Sequence, residues 1–149
     1  MNNIDYVKLG LPQVGFFGQR RLAASSAPIS LLTGQAGDAQ IPAFPGYMLY
    51  SITVSTPSWV RLYASNSART QDAASNRDIF TDPDPSSGVI AEVITQSQNQ
   101  TIQFGPAIQG YVNDAPVSGQ YNIPIRITNR NFATSNISVQ ALLVKTEDY

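Results

Sequence analysis

The sequence predicts an all-β protein, an antiparallel, jelly-roll-like β-sandwich with an extended N-terminal arm. Three observations predict it. Apolar and polar residues alternate with period 2 in six separate runs. Clusters of Pro, Gly, Asn, Asp and Ser separate those runs. Only residues 65–76 have any helical character, and their apolar members, Ala68, Ala73 and Ala74, are small enough to predict at most a short surface turn of helix.

Residues 1–45 read as a docking arm. Gly10, Gly15, Gly18, Gly34 and Gly37, with Pro12, Pro28, Pro42 and Pro45, break up any long element. The segment still carries apolar side chains that need burial, with Phe16, Phe17, Leu22, Leu31 and Leu32 as its candidate anchors against a partner. Short strands fit at residues 14–17 and 29–32. Residues 46–149 read as the sandwich domain. Met48, Tyr50, Ile52 and Val54 share one face of the first run; Val60 and Leu62 oppose Trp59, Arg61 and Tyr63 in the second. Runs follow at Val89/Ala91/Val93, Ile102/Phe104, Ile123/Ile125/Ile127 and Ile137/Val139/Ala141/Leu143. Turns are predicted at Thr56-Pro57-Ser58, Asp82-Pro83-Asp84-Pro85, Gly105-Pro106, Val117-Ser118-Gly119 and Asn129-Arg130-Asn131. Pro124 offers no N–H to a ladder, which places its strand at an edge or a bulge.

Composition removes several function classes. The chain has 149 residues, no histidine and no cysteine. Ser-His and Cys-His nucleophilic chemistry, His/Cys metal sites and disulfides are therefore excluded. Only 13% of residues are charged and the net charge is −1, against about 25% charged residues in ordinary globular chains. Arg20-Arg21 is the only adjacent basic pair, which is too little for a nucleic-acid groove. No apolar run reaches the roughly 20 residues of a membrane helix, and the first residues do not read as a secretory signal. Absence of cysteine fits a protein made in a reducing cytosol, or made there and released by lysis, and the sequons at Asn99 and Asn136 read as chance matches.

Asp78, Asp82 and Asp84 suggest at first a calcium loop, but their spacing fits no EF-hand and Pro83 and Pro85 limit how the chain could wrap an ion, so Asp side chains capping turns are the preferred reading. Glu92 is the only acid inside a predicted strand and has no strand-borne acidic partner. No Gly-rich phosphate loop or Gly-x-Ser-x-Gly elbow is present. Catalytic residues, metal ligands and cofactors are thus not expected. The row Trp59, Arg61, Tyr63 is the candidate interface on the sandwich, suited to a protein partner or to stacking on a sugar, unless that face is core.

The stretch Ser58-Trp59-Val60-Arg61-Leu62-Tyr63-Ala64, then Arg69, Asp72 and Arg77, then Asp82-Pro83 and Gly88-Val89-Ile90-Ala91-Glu92, resembles a pattern in small β-sandwich proteins of tailed bacteriophage particles. Ile123-Pro124-Ile125-Arg126-Ile127-Thr128-Asn129 and the strand after it fit the same pattern, so the resemblance spans residues 46–146. It implies a non-enzymatic virion component of a tail, neck or baseplate appendage, or a head decoration protein. Other virion proteins are then the expected partners, with homo-oligomerisation, a trimer first. A host-surface glycan is the further candidate ligand, for an adhesin using the Trp59 face.

Overall fold

The computed structural model describes residues 21–147. Within these residues ten strands and one helix follow in chain order: β1 (Arg21–Ser25), β2 (Ile29–Leu31), β3 (Ala36–Ala43), β4 (Gly46–Val54), β5 (Ser58–Tyr63), α1 (Asn66–Ala74), β6 (Val89–Ile94), β7 (Gln100–Tyr111), β8 (Tyr121–Asn129), β9 (Ser135–Ile137) and β10 (Val139–Lys145). They build two four-stranded antiparallel sheets, ordered β1-β10-β4-β7 and β3-β8-β5-β6, with β2 and β9 paired beside them. With β2 counted as a continuation of β1, and β9 as a lead-in to β10, this is the strand order of a jelly roll.

The alternating runs supply the core. Ile52, Val54, Val60, Leu62, Ile123, Ile125, Ile127, Ile137, Val139, Ala141 and Leu143 are all solvent-free, and Ala91 is buried. Val89 is half-buried, and Ile102 and Phe104 are half-buried against the cluster. Burying each large aliphatic side chain contributes roughly 1.5–3 kcal/mol. That term, repeated on both inner faces, holds the sheets together.

The boundary of the expected arm is corrected. Residues 21–45 are part of the sandwich and supply β1, β2 and β3. β1 pairs with β10 from Arg21↔Val144 to Ser25↔Gln140, and β3 pairs with β8 over its whole length. Leu31, Ile41, Ala43 and Phe44 join the core, and Leu22 packs on it; Leu32 is 61% exposed. The glycines and prolines shorten the strands without abolishing them. Gly34, at φ 79°, makes the turn between β2 and β3. Pro42 lies in β3, at the edge of its sheet, where an absent N–H is tolerated. Phe16, Phe17 and the expected strand at residues 14–17 lie outside the described residues.

Three further expectations change. Tyr47 and Leu49 face the core, and a bulge between Leu49 and Ser51 reverses the parity, so Ile52 and Val54 also face inward. Met48 and Tyr50 therefore do not share the core face. Gly105-Pro106 does not end a strand, because β7 runs through it opposite that bulge. Pro124 sits in the central strand β8, but the β5 ladder stops at Leu62↔Ile125, so it has a strand partner only on the β3 side. The helix is also longer than a turn: Ser65 caps it, its Oγ accepting from Ala68 N at 3.0 Å, and α1 then runs for nine residues.

Candidate functional site

β5 is buried on both faces. Val60 and Leu62 enter the core, while Trp59, Arg61 and Tyr63 share the outer face beneath α1 and the loop that follows it. These three side chains are 6%, 4% and 0% exposed. The expectation that they form an open interface is therefore corrected. Alternation reveals which residues share a face, and here a helix covers that face.

A polar network ties the helix down. The Tyr63 hydroxyl donates to Asp72 Oδ2 at 2.6 Å. Arg77 donates to the same carboxylate from Nε at 2.9 Å and Nη2 at 3.0 Å. Arg77 Nη2 also pairs with Glu92 Oε2 at 2.6 Å, and the Trp59 indole N–H donates to Glu92 Oε1 at 3.1 Å. Arg77 Nη1 reaches the Thr81 carbonyl at 2.8 Å. One arginine thus joins α1, the following loop, β5 and β6. Arg69 makes a second tie, donating to the Ala39 carbonyl at 2.7 Å and the Ile125 carbonyl at 3.3 Å.

Burial by itself would raise Asp72, but the hydrogen bonds from Arg77 and Tyr63 outweigh it and hold the carboxyl below its ordinary range. Burial, then the bond to Asp72, raises the Tyr63 phenol. The bond to Asp72 also raises Arg77. An ion-paired, capped carboxylate is a poor general base, and the pair Tyr63–Asp72 is built as a clamp. Glu92, on β6, is the other anchor of Arg77.

The acidic loop behaves as turn caps. Asp78 Oδ1 accepts from Phe80 N at 2.9 Å and Thr81 Oγ1 at 2.8 Å, and these bonds hold its carboxyl below the ordinary range. Asp84 Oδ1 accepts from Ser86 N at 2.8 Å, with the Ser86 hydroxyl as the leading cause of the same downward shift. Asp82 is exposed. Among the described residues, no three acidic side chains converge on a point that a metal ion could occupy.

Beside the clamp, a row of charges crosses the second sheet. Arg61 lies opposite Glu92 on β6 and opposite Arg126 on β8, and Arg126 lies opposite Asp38 on β3. Arg126 Nη1 pairs with Asp38 at 2.8 Å. Arg61 stacks 3.7 Å from the Trp59 ring centroid and donates from Nη2 to Thr128 Oγ1 at 2.7 Å. A trough of about 210 Å³ opens here, lined by Trp59, Arg61, Arg77, Arg126 and Thr128 among others.

The other distinctive surface is the outer face of the first sheet. Strand register groups it into three rows of four: Arg21, Val144, Met48, Gln109; Ala23, Leu142, Ser51, Gln103; and Ser25, Gln140, Thr53, Thr101. Only Arg21 is charged. Sequence reasoning missed this face, although the Ser/Thr/Gln positions alternating with Ile52, Val54 and Ala141 were the signal for it.

No protein family, curated protein or solved structure matches this chain.

Proposed function

We propose that the chain is a non-enzymatic structural component of a tailed-phage virion. It is a β-sandwich module of a tail, neck or baseplate appendage, docked onto other virion proteins with its N-terminal segment and oligomeric, a trimer being the first form to test. It is synthesised in the host cytoplasm and carried in the particle. The outer face of the first sheet carries this reading. One charge among its twelve positions, three rows of four, is well below the roughly 25–35% charged residues of a solvated surface. Depletion of charge is what distinguishes the centre of a protein interface. The described chain begins with β1, the edge strand of this same sheet. The jelly-roll order agrees with such a role but does not select it, since that fold serves both viral shells and lectins.

A head decoration protein is the second reading, favoured by the same face, which would then cover neighbouring capsid subunits. An adhesin reading loses its surface, because Trp59, Arg61 and Tyr63 are buried.

Imaging the assembled particle with this chain located is the test. Density in a tail, neck or baseplate appendage supports the first reading, density over the head supports the second, and absence from the particle overturns both. Leu142→Glu adds a second charge to this charge-poor face. It is expected to leave the isolated subunit folded while blocking incorporation.

A further inference from the structure

We propose that the trough between α1 and the β3–β8–β5 surface is an oxyanion-binding site, with Arg61 as its central ligand and Arg126, Thr128 and Asn76 around it. Charge matching leads to it. Four cations meet on this side of the second sheet: Arg61, Arg69, Arg77 and Arg126. Three acids face them, and all are committed: Asp38 to Arg126 and Arg69, and both Asp72 and Glu92 to Arg77. Arg61 is the cation left over. Among the described residues no carboxylate pairs with it, although it is only 4% exposed.

Geometry points the same way. Arg61 is directly opposed to Arg126 across β5 and β8, where like charges repel, and to Glu92 across β5 and β6, whose two oxygens are taken by Arg77 and the Trp59 indole. Arg61 Nε is buried without a hydrogen-bond partner. A buried charge without a counterion and a buried N–H without an acceptor are both strongly unfavourable. The Trp59 stack covers one face of the guanidinium, while its donors lie in the guanidinium plane, the arrangement that suits a forked contact with an oxyanion. The trough beside it, about 210 Å³, has Arg126, Thr128 and Asn76 in its lining. Asp72 lines it too, but both its oxygens are occupied by Tyr63 and Arg77. Burial holds the Arg61 guanidinium below its ordinary range; Arg126 and Arg77 add to this, and Tyr63 and Asp72 oppose it. An anion in the trough relieves that penalty.

Two sources share this chemistry, a free phosphate ion and a carboxylate presented by a neighbouring molecule. The site stands independently of the virion reading, because a single chain contains all of it. Trp59 is the only tryptophan and stacks on Arg61, so its fluorescence reports occupancy directly.

The test titrates the isolated full chain with inorganic phosphate in one arm and acetate in another, against chloride at equal ionic strength. A saturable change in Trp59 emission is expected in at least one arm, with a rise in melting temperature of about 5–10 °C at a hundredfold excess over Kd. Phosphate saturation identifies a free anion; saturation by acetate alone identifies a carboxylate. Arg61→Met should fold and lose the response, since an apolar replacement of a buried ion is commonly tolerated. If Arg61→Met does not fold, Arg126→Gln decides, with at least a tenfold weakening expected. No saturable response in either arm, an unchanged response in Arg61→Met, or unchanged affinity in Arg126→Gln overturns the site.

Discussion

Tyr63 on β5 donates its hydroxyl proton to Asp72 on α1 across 2.6 Å, and both side chains are buried. The helix is therefore fastened to the end of an inner strand of the second sheet by a group that keeps its charge only above a threshold pH. The folded-state carboxyl lies below its ordinary value of 3.8. Its contribution to stability is fully present above that value and is lost as the pH falls through the lower, folded-state one.

Asp72→Asn should cost about 3–5 kcal/mol at pH 7, the usual cost of breaking a buried ion pair from one side. The loss should shrink as pH falls below 3.8, because wild type loses the same interaction there. Urea unfolding at pH 7 and at pH 3 measures both. An equal difference at the two pH values would show that the charge on Asp72 is not what holds α1.

Tyr47→Phe should be neutral or stabilising by up to about 1–3 kcal/mol. The Tyr47 hydroxyl is buried with no partner, so removing it removes an unmet desolvation cost. Burial, with a smaller contribution from Tyr111, raises its phenol above the ordinary 10.0. Wild-type stability from this group is therefore kept below that pH and lost as pH rises beyond it. Denaturation midpoints at pH 7 and pH 11 should show the variant gaining on wild type at the higher pH.

Gly110→Ala should destabilise by about 1–3 kcal/mol, as overpacked cores do. A methyl at Gly110 would lie 2.4 Å from ring atoms of Tyr47, the residue opposite it across β4 and β7. That ring is fully buried and has no room to retreat. The double variant with Tyr47→Ala should recover part of the loss, and chemical denaturation of the set provides the cycle.

Leu31→Ala should cost about 2–5 kcal/mol in an isolated subunit. Leu31 is only 3% exposed, within the core of this one chain. A side chain that docks on a neighbour would instead leave monomer stability unchanged. Thermal unfolding of a verified monomer separates the two.

β8 was readable because nothing interrupts its pattern: Ile123, Ile125 and Ile127 all turn inward as alternation requires. β4 was readable only past Tyr50, since one bulged residue exchanges the two faces and leaves no mark in composition. β1 was hidden for a different reason, and β2, expected as a short strand at residues 29–32, was not assigned to the sandwich. Leu22, Ala24 and Leu31 form too short a pattern alone, and their order comes from β10 and β9 far along the chain. At Trp59, Arg61 and Tyr63 the shared face was legible, whereas its cover was not. Asp72 and Arg77 stood out in the sequence, yet their bond to Tyr63 depends on how α1 folds back over β5.

The pairing of β1 with β10 also sets the order of events during synthesis. Ser26 and Val139 exchange hydrogen bonds of 2.9 and 3.0 Å although they are 113 positions apart. A ribosome releases β1 long before the strand that completes it, so the first sheet cannot close until translation has passed β10. Distant pairing of this kind slows folding and leaves unsatisfied strand edges waiting in the nascent chain. A product cut short before β10 would keep those edges for good, and its expected fate is aggregation or proteolysis rather than a smaller folded domain.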